Sequence, residues 1–363
     1  MKTLPAGASG RIFVHLRVHS AYSLLEGALQ LGAIVGHAVK DSAPAVAVTD
    51  TNNLFGALEF AQKATKDGVQ PLMGCQVDLS FAGEPADGPR DRRRVGPDMA
   101  PVVLIAANEE GYANLVRLVS HAYLDTPSGE PVHATSDMLG QYCEGVICLT
   151  GGPRGPVGAA LKADRQELAE SRLLFLREMF GNRLYVELER VSGYDRGIEQ
   201  RTIDLAYRHE LPLVATNEAF FLKREDYEAH DALIAIAEGS VIAVDDRRRL
   251  SPDNYLKSQA EMAKLFADLP EALDNTVEIA MRCSYYPKNR KPILPRFAGA
   301  DVEDPEAAEK AEAEELKRQA REGLARRLEA HGPTTGHTVE DYQERLEFEL
   351  GVIERMKFPG YFL

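Results

Sequence analysis

The chain has 363 residues, 44% of them hydrophobic and 27% charged, with no tryptophan; this is a globular composition and excludes a disordered or fibrous protein. No apolar run reaches the roughly 20 residues that span a bilayer, and residues 1–11 carry no signal-peptide stretch, so a cytoplasmic protein with no membrane segment is expected. Of the net charge of −14, residues 284–363, with 13 basic and 16 acidic side chains, hold only −3, so the first 283 residues are acidic and not expected to grip DNA phosphates by themselves.

In chain order, apolar β-branched runs alternate with runs of helical period. Strands are predicted at 12–19, 45–49, 70–79, 101–107, 145–149, 183–188 and 213–216. Helices are predicted at 29–40, 55–66, 110–123, 165–180, 197–209 and 226–237. Seven strands with repeated βα alternation predict an α/β fold, either a parallel sheet or a small barrel, with its chemistry at the strand ends. Residues 82–100, rich in Gly, Pro and charge, read as a loop or hairpin extension with Arg92, Arg93 and Arg94 at a solvated tip. Cys75, Cys143, Cys148 and Cys283 form no CxxC pair and no zinc-like cluster, so free thiols are expected.

The character changes after about residue 285, where Pro287, Pro292 and Pro295 punctuate an extended stretch. Two charge-rich helices follow, at 305–329 and 339–357. The first carries a stripe of Leu316, Ala320, Leu324 and Leu328, the second one of Tyr342, Leu346, Leu350 and Ile353. Two parts are therefore expected, a domain over 1–283 and a linker with helices over 284–363. The apolar end, residues 358–363, reads as part of a longer chain.

The residues that carry chemistry cluster at predicted strand ends. His15 and His19 face the same side of a strand, as metal ligands or as hydrogen-bonded core residues. Asp50, just after the second strand, is placed either to ligate a metal or to cap the next helix. The glycine-rich run 151–158 lacks the Gly-Lys-Ser/Thr ending of a phosphate loop and reads as a strand-to-helix connection. The mixed-charge run 245–249 reads as a solvated loop.

Six segments then follow one another in a characteristic order: FVHLRVHSAYSLLEGA, VAVTDTNNLFGALEF, PLMGCQVDL, LIAANEEGYANLVRLVS, LPLVATNEAFFL and LPEALDNTVEIAMRC. Together they resemble the N-terminal region of the bacterial DNA polymerase III alpha subunits, the C-family replicative polymerases. The resemblance implies a polymerase and histidinol phosphatase (PHP) domain, a distorted seven-stranded βα barrel, followed by a small, mainly helical segment. The closing MKFPGYFL is similar to the entry into the polymerase palm.

Metal-binding PHP members hold a metal cluster at the strand ends through histidines and a few carboxylates. Where they read His-x-His on the first strand, this sequence has Arg17 and His19. The acidic residue of the next turn is kept as Glu26. The histidine after Thr-Asp is Thr51, although Asp50 remains, and the glutamate of a Gly-Cys-Glu strand is Gln76. The histidine opening the next strand is Pro101, and the one expected beyond Glu187 falls near Val191. The closing Asp-x-His is Glu218 and Phe220. His19, Glu26, Asp50 and Glu218 are thus vestigial positions, while Arg17, Thr51, Gln76, Pro101 and Phe220 mark lost ligands. No metal and no catalytic residue is expected in this segment. Arg17, a fixed positive charge in a site built for cations, is expected to pair with Asp50 or Glu26.

The resemblance further implies a part in chromosomal DNA replication. The DNA-directed polymerase chemistry and its Mg2+ would lie beyond residue 363. The PHP domain would then serve as a scaffold and as the docking platform of a separate proofreading exonuclease subunit, alongside other holoenzyme subunits, with DNA bound by the rest of the polymerase. The alternative is an active metal-dependent phosphoesterase or 3′–5′ exonuclease.

Overall fold

The computed structural model describes residues 11–81, 99–290, 297 and 304–363. The chain divides into two compact units, 1–288 and 289–363.

In the first unit seven strands form one sheet: β1 (Ala45–Thr51), β2 (Gln70–Ser80), β3 (Met99–Ala106), β4 (Ala134–Thr135), β5 (Val146–Leu149), β6 (Leu184–Glu189) and β7 (Leu213–Thr216). Their order is β1-β2-β3-β5-β6-β7, with the two-residue β4 pairing with β2 off that path. The helices are α1 (Leu31–Lys40), α2 (Ala57–Lys66), α3 (Glu109–Asp125), α4 (Ser136–Gln141), α5 (Pro156–Lys162), α6 (Gln166–Phe180), α7 (Arg196–Arg208), α8 (Tyr227–Ala237), α9 (Gln259–Leu265) and α10 (Pro270–Arg282).

The sheet is mixed, so of the two arrangements expected it is the distorted barrel and not the parallel sheet. β3 runs antiparallel to both β2 and β5, whereas β1 with β2, β5 with β6 and β6 with β7 are parallel. A parallel neighbour needs a long crossover, normally a helix, and no helical pattern separates β2 from β3 in the sequence. A hairpin return is what that connection allows. The charged run at 82–98, including Arg92, Arg93 and Arg94, lies outside the described residues.

The strand expected over 12–19 is not a continuous strand. The segment instead links the two ends of the sheet through isolated parallel bridges, His15 to Val46 and Val18 to Ala219. Its carbonyls serve both sides in turn. His15 O and Val18 O accept from Ala47 N and Thr49 N on β1, and Arg17 O accepts from Ala219 N just past β7. The sheet curls until this segment can bond both of its edges, in the manner of a barrel.

Alternate residues of the strands pack on opposite faces. Leu72, Val103, Ile105, Ile147, Leu149 and Val214 form a smaller core closed by Ile279 of α10. The other face carries the larger core, with Val48, Met73, Val102, Leu104 and Val186 packed against Phe60, Leu115, Leu173 and Leu205 of the surrounding helices. All four cysteines are free thiols, three of them buried. Among the described residues no helix is long and apolar enough to cross a membrane.

In the second unit α11 (Pro305–His331), α12 (Val339–Arg355) and the short α13 (Pro359–Phe362) follow one another. Leu350 of α12 is buried, and Leu316, Ala320, Leu324 and Leu328 of α11 are half-buried. Lys317 to Glu354 and Arg321 to Glu347, each 2.7 Å, tie α11 to α12. Such exposed pairs each contribute less than about 1 kcal/mol.

One buried hydroxyl fastens the closing segment from below. Thr276 Oγ1 on α10 accepts from Val14 N at 3.0 Å and donates to Leu273 O at 2.7 Å. Thr276→Val keeps the shape and leaves the Val14 amide without its acceptor. A loss of about 1–3 kcal/mol in urea unfolding is expected.

Candidate functional site

The strand ends converge on one side chain. Arg17 is fully buried and is the largest such side chain among the described residues. Its guanidinium touches the ends of four strands. Nε and Nη2 donate to Gln76 Oε1 on β2 at 3.2 and 2.7 Å. Nη1 donates to Gly151 O, just past β5, at 3.2 Å and to Glu187 Oε1 on β6 at 3.0 Å. Nη2 lies 2.9 Å from Glu218 Oε1, just past β7. Burial disfavours the charge, but Glu187, Glu218 and Glu189 outweigh it and raise the pKa. A guanidinium keeps its charge in proteins in any case. Gly151 has φ +79°, and a Cβ there would come within 1.8 Å of Pro101 O, so only glycine presents this carbonyl to Arg17.

These partners overturn the pairing expected from sequence. Asp50 is engaged elsewhere: Oδ1 accepts from Ser20 N at 2.6 Å and Ser23 Oγ at 2.7 Å, and Oδ2 from Ser20 Oγ at 2.7 Å. It neither meets Arg17 nor caps α2, whose N-cap is Gly56. It fixes the 20–23 turn. Glu26 pairs with Arg248 at 2.8 Å and accepts from Thr51 Oγ1 at 2.8 Å. Although burial opposes it, Arg248, His19 and Thr51 hold the Glu26 carboxyl below its ordinary range.

Of the positions named from the sequence, His19, Phe220, Glu218, Thr51 and Glu26 meet in space near Arg17 and Gln76. His19 stacks on Phe220, with ring centroids 4.3 Å apart and planes 4° apart. Its Nε2 lies 3.3 Å from Glu218 Oε1. Glu218 also takes a hydrogen bond from Arg154. Burial would raise the Glu218 pKa, yet Arg154 and Arg17 hold it well below the usual carboxylate range. Pro101 lies where β3 pairs with β2 alone, opposite Asp78 and ahead of the β5 ladder. Its missing N–H is therefore tolerated. His15 stands apart from this group, with Nε2 donating to Lys257 O at 2.7 Å. Burial lowers its pKa to about 4, so it is a neutral core histidine.

Three residues escaped the reading from sequence. Arg154 lies in the glycine-rich run, which does connect β5 to α5. Arg248 lies in the mixed-charge run expected to be a solvated loop. Of that run Arg247 is buried and paired with Asp231, and Arg248 is held by Glu26, because the loop folds back over the strand ends. Glu189 is the third. Burial and the adjacent Glu218 charge push it up to about 7, against the pull of Arg17 and Arg154. Each partner is distant in sequence, so no local spacing reveals it.

A PHP domain model matches residues 15–191, and the model described as bacterial DNA polymerase III alpha NTPase domain matches residues 314–363. The chain is 46% identical over 359 residues to the DNA polymerase III subunit alpha of Caulobacter vibrioides, covering 98% of this chain and 30% of that protein. The chain belongs to the bacterial DNA polymerase III alpha subunit family. The alpha subunit of Pseudomonas aeruginosa is 37% identical over 362 residues, and that of Escherichia coli K12 is 36% identical over 358. In both cases 97% of this chain and 29% of the relative are covered. The chain thus spans about three-tenths of the length of these alpha subunits.

A metal cluster at the PHP strand ends needs imidazoles and carboxylates converging with open lone pairs. The residues present in this PHP domain do not fit one. A guanidinium lies among Gln76, Glu187 and Glu218, and a phenyl ring covers His19. Among the described residues no three His, Cys, Asp or Glu side chains are grouped to hold a metal ion.

Removing Arg17 leaves buried carboxylates without their counter-charge. Arg17→Met is expected to cost about 3–5 kcal/mol in chemical denaturation. Glu189 gives a prediction with a defined sign. Its folded pKa of about 7 lies above its ordinary 4.5, so the native state resists ionisation. The resulting instability is absent below pH 4.5, grows towards pH 7 and is full above it. Glu189→Gln should therefore gain melting temperature over the parent at pH 8 but not at pH 4, with melting curves across that range as the check.

Proposed function

We propose that this chain is the PHP-bearing segment of a replicative DNA polymerase alpha subunit, and that its PHP site is a scaffold and not a phosphoesterase. The observation that carries the reading is the buried Arg17 guanidinium, bonded to Gln76, Gly151 and Glu187 and paired with Glu218 at the strand ends. Ion pairs do there what metal ions would do in a ligand-complete domain: they neutralise converging carboxylates and hold the strand ends in register. Polymerase chemistry, its Mg2+ and its DNA contacts are assigned to the remainder of the alpha subunit, in keeping with the three-tenths coverage of the relatives. In the same reading the protein works in the cytoplasm on the chromosome, within a multisubunit holoenzyme.

A PHP domain with no nuclease of its own leaves proofreading to a separate exonuclease subunit, and the domain is proposed as its docking platform. The support for this is the family resemblance together with the loss of the metal site. Two measurements test the reading. Elemental analysis of the purified chain is expected to show substoichiometric zinc and manganese, and stoichiometric metal with phosphoesterase turnover would establish the active alternative. Pull-down with the cognate exonuclease subunit is expected to show a complex, and absence of binding at micromolar concentrations would remove the docking role.

A further inference from the structure

Beside the Arg17 cluster a cavity of about 380 Å3 opens between the strand ends and α7. Its charged floor is short of donors. Glu187, 1% exposed, uses Oε1 for Arg17 and Thr216, at 3.0 and 2.6 Å, while its Oε2 has no hydrogen-bond partner among the described residues. Glu189, 7% exposed, accepts only a 3.3 Å bond from Glu218 N among those residues. Three buried carboxylates, Glu187, Glu189 and Glu218, therefore face two guanidiniums, and both of these are drawn to Glu218. The walls are of another character, since Val191, Tyr194, Ile198 and Leu250 line the space.

Cations also reach the cavity, and their commitments decide which charge the floor lacks. Arg154 is bound to Glu218, and Arg249 lies 3.6 Å from Asp245. Lys162 is exposed, where solvent and salt screen it. Lys257, buried nearby, feels the Glu189 charge but spends its Nζ on Asn217 Oδ1 and Asp253 O, so Glu189 and Glu187 Oε2 are the buried acceptors left without a charged donor of their own. Buried carboxylates gain most from a charged donor, and charge-assisted hydrogen bonds are the strong ones.

The geometry points to a binding site for a ligand that carries an ammonium or guanidinium head on an aliphatic stem. The head donates to Glu189 beside Glu187, and the stem lies along Val191, Ile198 and Leu250. A free polyamine and a lysine or arginine side chain of another protein share this chemistry.

Calorimetric titration of the full chain tests it, with agmatine, N-acetyl-lysine amide and sodium acetate as probes, at about pH 8 and about 0.15 M salt. Either cation is expected to saturate with a dissociation constant on the order of 1 mM, suited to so few atoms. Tighter agmatine binding assigns the site to free polyamines; tighter binding of the blocked lysine assigns it to a protein side chain. Glu189→Gln should weaken the cation about tenfold or more, while Glu314→Gln, on the exposed face of α11, should change nothing. Ile198→Trp fills the cavity from its wall and should abolish binding with the carboxylates intact, which keeps the test decisive if the buried substitution fails to fold. Acetate binding in place of the cations would overturn the assignment, as would equal cation binding by parent and Glu189→Gln, or no saturation by either cation.

Discussion

A positive charge that never reaches water has to be matched where it lies. Arg17 is that charge, and its matching organises the whole sheet. Its donors are taken by side chains or carbonyls at the ends of β2, β5 and β6 and just past β7, on a segment that itself bonds β1 and the chain after β7. The desolvation of an isolated guanidinium would cost many kcal/mol. It is tolerated because the barrel-like closure brings carboxylates from distant parts of the chain to one point. Closure and charge pairing are therefore a single condition. Neither is satisfied unless the strands curl to the same register.

The same condition accounts for the arginines gathered at the strand ends. Glu26, Glu187 and Glu218 are each met by an arginine, through Arg248, Arg17 and Arg154. Carboxylates that converge at strand ends repel one another unless a cation lies between them. In a ligand-complete PHP domain that cation is a metal. Here guanidiniums lie against the carboxylates at the strand ends. Glu189 shows how closely the balance is struck, because this additional buried carboxyl holds its proton to near neutral pH.

Much of this was legible in the sequence. Apolar periodicity placed β1, β2, β3, β5, β6 and β7, the last over Leu213–Thr216, but not the broken segment at 12–19. That Arg17 stands where the family has an imidazole was implied by the resemblance of FVHLRVHS. What periodicity could not reveal was direction. β3 carries the same apolar pattern whether parallel or antiparallel, and only its hydrogen bonds to β2 and β5 distinguish the two.

Residue types and local spacing determined by themselves the α/β class, because periodicity depends on near neighbours in the chain; the incomplete His and carboxylate set was implied only by the family resemblance. Tertiary structure decided which acid meets Arg17. Asp50 and Glu26, near it in sequence, are drawn to Ser20 and Ser23 or to Thr51 and Arg248. Glu187, 170 residues further along the chain, and the still more distant Glu218 take the charge. The reason is physical: an ion pair depends on distance through space and on local burial, and both are set by the closing of the sheet.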